Sequence, residues 1–438
     1  MRTFVFLMST LLLCACASRL PYRDAQKSCD IDLTKEGPGK TANEREQAEC
    51  PSASRVQVRG RYPYELAYVE IDEQGYVESR EQTELALQMA GAVSGKSGRV
   101  NVVVFVHGWH HNASAEDPFV AYFHNALESL SRWKSADRPN DSVRGILVGW
   151  RGESLTIPLL NMLTFWERKN TSDEVGRGSL LEFLLRLERE VKGRHGENSR
   201  LVVIGHSFGA SVTFNSLAQL YMQRFLEGVY ASGPGPRFRG YGDMVVLINP
   251  AIEAMRYMPL YSALNYYFAR SETPRADFSG NAGPVLLILS SEGDWATRYF
   301  FPGARFVSTI AEVHRHADIQ GSSKDRGPHS EWVMDRDTVG NYEGFNTHQM
   351  IRGNPKDDAN NVDSCPALTQ RDLRNKLRES ETGAAVFPYS DVRLEQKKGI
   401  PPNLPYWHAD LGKELVYDHN DIGKLKFVCW LSQLVHSE

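Results

Sequence analysis

This chain has no excess of either charge, no internal repeat, no long low-complexity tract and few cysteines. Fifty Lys and Arg stand against 54 Asp and Glu, a net charge of −4. That balance leaves no basic footprint for nucleic acid or for an anionic surface, so no nucleic-acid partner is expected. Without repeats, solenoid and propeller architectures drop out. The apolar run Phe4 to Leu13 is too short to span a bilayer. Six cysteines among 438 residues leave no His-paired thiol motif, which argues against a cysteine nucleophile. Metal chemistry also lacks a carrier. His107, His110 and His111 cluster, but consecutive His110 and His111 share no helical face and no nearby motif completes a zinc set. Neither metal nor cofactor is expected.

What is present begins with a targeting segment. Arg2 and the apolar run resemble a signal peptide, and Leu13-Cys14-Ala15-Cys16 resembles a bacterial lipobox. Its final Cys16 would be lipidated and become the mature N-terminus, giving a membrane partner through a lipid anchor. Cys14 fits less well, because bulky Leu13 would precede the cut; the plainer alternative is an ordinary secretory signal. Ala17 after the lipidated cysteine resembles an outer-membrane sorting signal if the cell is Gram-negative. Localisation in a bacterial envelope makes the compartment oxidising. The four remaining cysteines then suggest two disulfides, most locally Cys29–Cys50 and Cys365–Cys429.

Residues 17–55 are polar with scattered Pro, Lys, Glu and Gly and read as a tether, leaving 56–438 as the folded domain. Leu66–Ile71 reads as a strand that turns at Asp72-Glu-Gln-Gly75 into a second short strand, an edge hairpin. Val102–Val106, Ile146–Gly149, Leu201–Ile204, Met244–Ile248 and Pro284–Leu289 are apolar runs suited to buried parallel strands. Helical patterns lie between them, at Pro118–Trp133 and Leu180–Val191 among others. Strands alternating with helices predict an α/β fold, a mostly parallel sheet doubly wound by helices. Residues from about 305 to 400 lack this order and read as a large, partly irregular insertion at the functional edge, before a last strand from Tyr406 and a closing helix at Leu425–Leu434.

The chain is organised around Leu201-Val-Val-Ile-Gly-His-Ser-Phe-Gly-Ala210. A serine on so tight a strand-to-helix turn must hold strained backbone, and glycines two before and two after it remove the clashing side chains. Serine is a poor nucleophile without a base, and the base needs a carboxylate to set its tautomer. Such groups gather at the C-terminal ends of strands in open parallel sheets. Asp294, just past the Val285–Leu289 strand, fits the acid, with Glu292 and Glu253 as alternatives. His419, in the loop after the last strand, fits the base, with His348, His329 and His408 competing. Backbone N–H groups of Phe208 and Trp109 would form the oxyanion hole, Gly108 letting the loop come close.

Taken together, the His107-Gly108 loop after a strand, the Gly205-His-Ser-Phe-Gly209 turn, Asp294 and His419 resemble the α/β-hydrolase superfamily over about residues 60–305 and 400–438. The resemblance implies Ser207 as nucleophile, Asp294 as acid and His419 as base. Two departures stand out: 125 positions separate Asp294 from His419, and the loop reads His-Gly-Trp instead of a glycine-rich run. Apolar Leu155–Trp166 and the Met- and aromatic-rich Met255–Phe268 are either core or pocket wall; as pocket wall they would favour a small-molecule or lipid-like ester. An esterase or lipase is therefore expected. An acyltransferase, thioesterase or peptidase on the same groups is the first alternative, and a non-catalytic envelope interaction protein the second. Nothing in the sequence sets the oligomeric state.

Overall fold

The computed structural model describes residues 20–93, 98–137, 140–152, 161–230, 239–270, 284–314, 330–352, 384–387, 392–398, 400, 404–423, 427, 428, 430 and 431. The lipobox with Cys16, the Cys365–Cys429 pair, His329 and residues 155–160 lie outside them.

Among the described residues, 12 strands form one sheet. In chain order the strands are β1 (Asp24–Asp32), β2 (Ala53–Arg59), β3 (Tyr64–Ile71), β4 (Val100–Val106), β5 (Ser142–Trp150), β6 (Ser199–His206), β7 (Met244–Ile248), β8 (Leu286–Ser291), β9 (His348–Arg352), β10 (Ala384–Phe387), β11 (Val392–Gln396) and β12 (Tyr406–Leu411). Their spatial order is β1-β2-β3-β5-β4-β6-β7-β8-β12-β9-β11-β10. All neighbours from β3 through β12 to β9 are parallel; β2–β3, β9–β11 and β11–β10 are antiparallel. The central strands are buried on both faces: every residue of β4, β7 and β8 is buried. Continuous apolar runs, not alternating ones, are what two covered faces require. The expected mostly parallel α/β sheet is present.

Helices α1 (Ala42–Glu49), α2 (Arg80–Gly91), α3 (Pro118–Asp137), α4 (Asn161–Arg177), α5 (Leu180–His195), α6 (Phe208–Tyr230), α7 (Ala254–Arg270) and α8 (Phe301–Ser308) cover it. One layer holds α2 and α4 to α7; the other holds α1 and α3. Helix α5 shows why the sequence winds this way. Leu180, Phe183, Leu184, Leu187 and Val191 recur at helical spacing and are all buried, while Lys192, Arg194 and His195 complement its C-terminal dipole.

Two expectations need correction at the ends of the sheet. Residues 17–55 are not a tether throughout: β1 pairs in parallel with β2, and α1 packs on α3. Their polarity misled because this segment is held by buried charge more than by apolar area. Arg23 and Glu46 are both fully buried and paired, and Cys29 is bonded to Cys50. The edge hairpin also lies one element earlier than expected. β3 pairs antiparallel with β2, and the stretch after Asp72 contributes only a bridge, Ile71 to Val77. At the other end, the 305–400 insertion is no mere excursion. It supplies β9, β10 and β11, which extend the sheet beyond β12, so the strand at Tyr406 is last in sequence but interior in space.

Candidate active site

Ser207 is the single residue between β6 and α6. Its φ of +56° is left-handed, a conformation that costs a non-glycine residue roughly 1–3 kcal/mol unless its surroundings impose it. They do: its N–H donates to the Ile248 carbonyl at 3.0 Å, and its own carbonyl accepts from the N–H of Ala251 at 3.2 Å. The flanking glycines are sterically required. A Cβ on Gly209 would lie 2.2 Å from the Val106 carbonyl oxygen, and one on Gly205 would lie 2.8 Å from Ala210 Cα.

Ser207 Oγ lies 2.7 Å from His419 Nε2, and His419 Nδ1 lies 2.8 Å from Asp294 Oδ2. The three groups come from the ends of β6 and β8 and from the loop after β12, all C-terminal ends of parallel strands. Asp294 is fully buried. Its Oδ2 also accepts from Thr297 Oγ1 at 2.5 Å, and its Oδ1 from the N–H groups of Ala296 and Thr297 at 2.9 and 3.2 Å. Burial alone would raise its pKa, but His419 and the Thr297 donors outweigh burial and hold it below the ordinary carboxylate value. An ionised carboxylate only accepts, so Nδ1 carries the imidazole proton. Nε2 is then left as the basic nitrogen facing the serine hydroxyl. This arrangement can take a proton from Ser207.

Two residues that sequence reasoning missed hold His419 in place. His206 Nε2 donates to the His419 carbonyl at 2.8 Å, and Asn249 Nδ2 donates to the same oxygen at 3.0 Å. Burial, then the neighbouring His419, pushes the pKa of His206 well below its ordinary value, so its ring stays neutral. Asn249 sits just past β7 with φ +45°, and its Oδ1 accepts from the N–H of Ser291 at 2.9 Å. Asparagine tolerates that backbone better than most residues. An Asn directly after a buried strand was the available signal.

The His107 loop closes against the serine. A Cβ on Gly108 would lie 2.8 Å from the Ser207 Cβ, so only glycine brings the backbone this near. Trp109 follows, its ring 6.0 Å from that of Phe208, and Phe165 of α4 lies 5.2 Å from Phe208 and 5.6 Å from Trp109. Phe300 continues the aromatic wall at 5.0 Å from Phe165. Of the apolar 155–166 stretch, the one described side chain, Phe165, is buried and packs against the rings of Phe208 and Trp109 beside the serine turn. Within Met255–Phe268, Tyr257 is core, packed on Phe214, Phe345 and His408.

The competing residues lie elsewhere. Glu253 is buried beside Lys169, Arg256 and Arg305; despite burial, those cations hold its pKa down at about 2. Glu292 follows β8, its N–H bonded to the Leu411 carbonyl. His348 is buried 4.3 Å from Trp407, and His408 packs 4.7 Å from Tyr257; burial lowers both to about 3. In the His-rich loop, His107 Nε2 accepts the Trp150 N–H at 3.1 Å, and His111 pairs with Asp117 at 3.1 Å.

A sequence model of the alpha/beta hydrolase family matches residues 103–386, a span holding Ser207 and Asp294 but ending before His419. Among solved structures, the chain is similar to phospholipase PlaB from Legionella pneumophila in complex with thio-NAD, at 11% identity and a TM-score of 0.23. That similarity covers 58% of this chain, which spans 46% of the phospholipase's length. No curated protein sequence matches.

Proposed function

The chain belongs to the alpha/beta hydrolase family, and from that premise we propose that it is a serine hydrolase cleaving an ester or related acyl bond. The observation that carries this reading is the unbroken row from Ser207 Oγ through His419 to buried Asp294. In the proposed reaction His419 Nε2 takes the Ser207 proton as Oγ attacks the carbonyl carbon. The resulting oxyanion accepts from the N–H groups of Phe208 and Trp109. His419 then protonates the leaving alcohol, whose C–O bond breaks to leave an acyl-serine. Water, deprotonated by His419, attacks that ester, and the proton returns to Ser207 as the acid departs. The Phe165, Phe208 and Phe300 wall suits an apolar acyl or alcohol part.

We further propose that Cys16 is lipidated and anchors the protein in a bacterial envelope, on the periplasmic side of the outer membrane in a Gram-negative cell. The Cys29–Cys50 bond supports an oxidising compartment. A fluorophosphonate should label Ser207, and His419→Ala should abolish the label in a folded protein. Labelling that survives Ser207→Ala would overturn the assignment. Products from an ester panel with added alcohols separate the reactions: acid release marks a hydrolase, and transfer to the alcohol would replace this reading with an acyltransferase. Radiolabelled palmitate incorporation that persists in Cys16→Ser would end the anchoring proposal.

A further inference from the structure

Residues 20–23 sit on the edge of the sheet that carries Ser207. Leu20, Tyr22, Ile71, Trp150 and Arg151 line one small cleft, so the chain enters at the C-terminal ends of β3 and β5. Those ends lie on the same edge of the parallel sheet as Ser207 and Asp294. The entry point is firmly held. The N–H groups of Tyr22 and Arg23 donate to Glu70 at 2.8 and 2.9 Å, and Arg23 Nε donates at 2.6 Å to the carbonyl of Ala113, in the loop that carries Trp109. Only Ala17, Ser18 and Arg19 separate Cys16 from Leu20. Four residue steps reach at most about 14 Å.

At the other side of the site lies an exposed apolar surface. Trp295, Tyr299, Phe306, Val307 and Ile310 follow directly on Asp294 and are each at least half exposed, Ile310 at 77%. Phe300, in the middle of this segment, packs on Phe165 in the site wall, so the surface is continuous with the site. From β3 to β8 the sheet crosses five strand spacings, or about 24 Å. Leu20 and the aromatic surface therefore flank Ser207. Exposed aromatics rimming one face favour a membrane interface over bulk water. Among the described residues no helix is long and apolar enough to cross a membrane, so contact would be by this surface and the anchor.

We propose that the catalytic edge faces the bilayer that holds the anchor, docked on it through the 295–310 surface, and that the substrate is a lipid ester drawn from that bilayer. The short span after Cys16 argues for a lipid surface as the occupant. The proposal rests on the serine-hydrolase and lipidation readings, and its test separates all three. Cys16→Ser protein, which needs no anchor, should float with vesicles of phosphatidylethanolamine and phosphatidylglycerol. Phe306→Asp/Ile310→Asp in that background should lower the bound fraction at least tenfold. It should lower vesicle-lipid hydrolysis similarly and leave hydrolysis of a water-soluble short-chain ester unchanged. In the lipidated protein, a 30-residue Gly/Ser insert between Arg19 and Leu20 should slow vesicle-lipid hydrolysis alone. Absence of vesicle binding by Cys16→Ser protein, or binding indifferent to the two Asp substitutions, overturns the docking proposal. Loss of soluble-ester turnover in every form would instead indict the hydrolase reading, and missing acyl label the anchor.

Discussion

Among the described residues, two histidines are each bracketed by a hydroxyl and a carboxylate. At the site, His419 joins Ser207 at 2.7 Å to Asp294 at 2.8 Å. Between α1, α3 and β3, His124 joins the Tyr64 hydroxyl at 2.7 Å to Glu46 at 2.5 Å. The group types match, but their surroundings do not. The His419 side chain is 20% exposed, its hydroxyl sits on strained backbone at a strand end, and a glycine loop lies against it. His124 is sealed, and Glu46 also receives Arg23 and the Tyr68 hydroxyl. Burial would raise the Glu46 pKa, yet Arg23 and His124 outweigh it and keep it low; burial drives that of Tyr64 well up. A hydroxyl–imidazole–carboxylate row is thus no signature of catalysis by itself. Access and a hydroxyl presented on strained backbone distinguish the open row from the closed one.

The sharpest way to break this comparison is to disable each row in turn. Ser207→Ala or His419→Ala should lower kcat on an ester by on the order of 10⁴- to 10⁶-fold, with Asp294→Asn less severe, and leave the unfolding midpoint nearly unchanged. His124→Ala should do the reverse. If it abolished turnover per folded molecule while Ser207→Ala did not, the site would have been placed in the wrong row.

Glu46→Ala strands Arg23 as a buried charge with its main partner gone. Urea unfolding should show a loss of about 3–5 kcal/mol with activity per folded molecule retained. A loss under 1 kcal/mol would mean that the closed row does not secure β1 and α1. The Cys29–Cys50 bond, closing a span of 21 residues in the same region, should contribute about 3 kcal/mol in the chain-entropy picture. Replacing both cysteines by serine and measuring the urea midpoint checks it.

The smallest effect concerns protons. His206, His107, His348 and His408 are buried with pKa values depressed by burial, to about 4 for His107 and about 3 for the last two. For a depressed histidine the unfolded chain binds more protons once pH falls below about 6.5, so stability must fall with pH from there towards about 4 for His107 and about 3 for His348 and His408. Each such group contributes at most about 1.4 kcal/mol per pH unit. His408→Gln should flatten the measured slope by one proton; an unchanged slope would mean His408 takes up its proton while folded.

Much of the site was legible because its requirements are local. A glycine-flanked serine between a buried strand and a helix admits few backbones, and an acid placed just past a later strand follows from parallel topology. The same reading could not see His206 and Asn249 as supports for His419. Their role is a bond to a backbone carbonyl more than 160 positions away, and no side-chain pattern encodes that. It also took residues 17–55 for a tether, although they hold β1 and α1, since scarce apolar residues normally mean a chain that cannot order itself.

By itself, then, the sequence determined what nearest neighbours impose: the strand runs, the helix faces, the serine turn and the alternation that makes a parallel sheet. Tertiary structure alone decided what depends on distant partners. It set Asp294, not Glu253, beside His419: His419 Nδ1 lies 2.8 Å from Asp294, while three cations surround Glu253. It placed β12 inside the sheet by giving it β9 as a neighbour. And it folded a polar N-terminal segment onto the β3 side of the sheet, where buried Arg23 and Glu46 stabilise each other only because the closed fold keeps water from both.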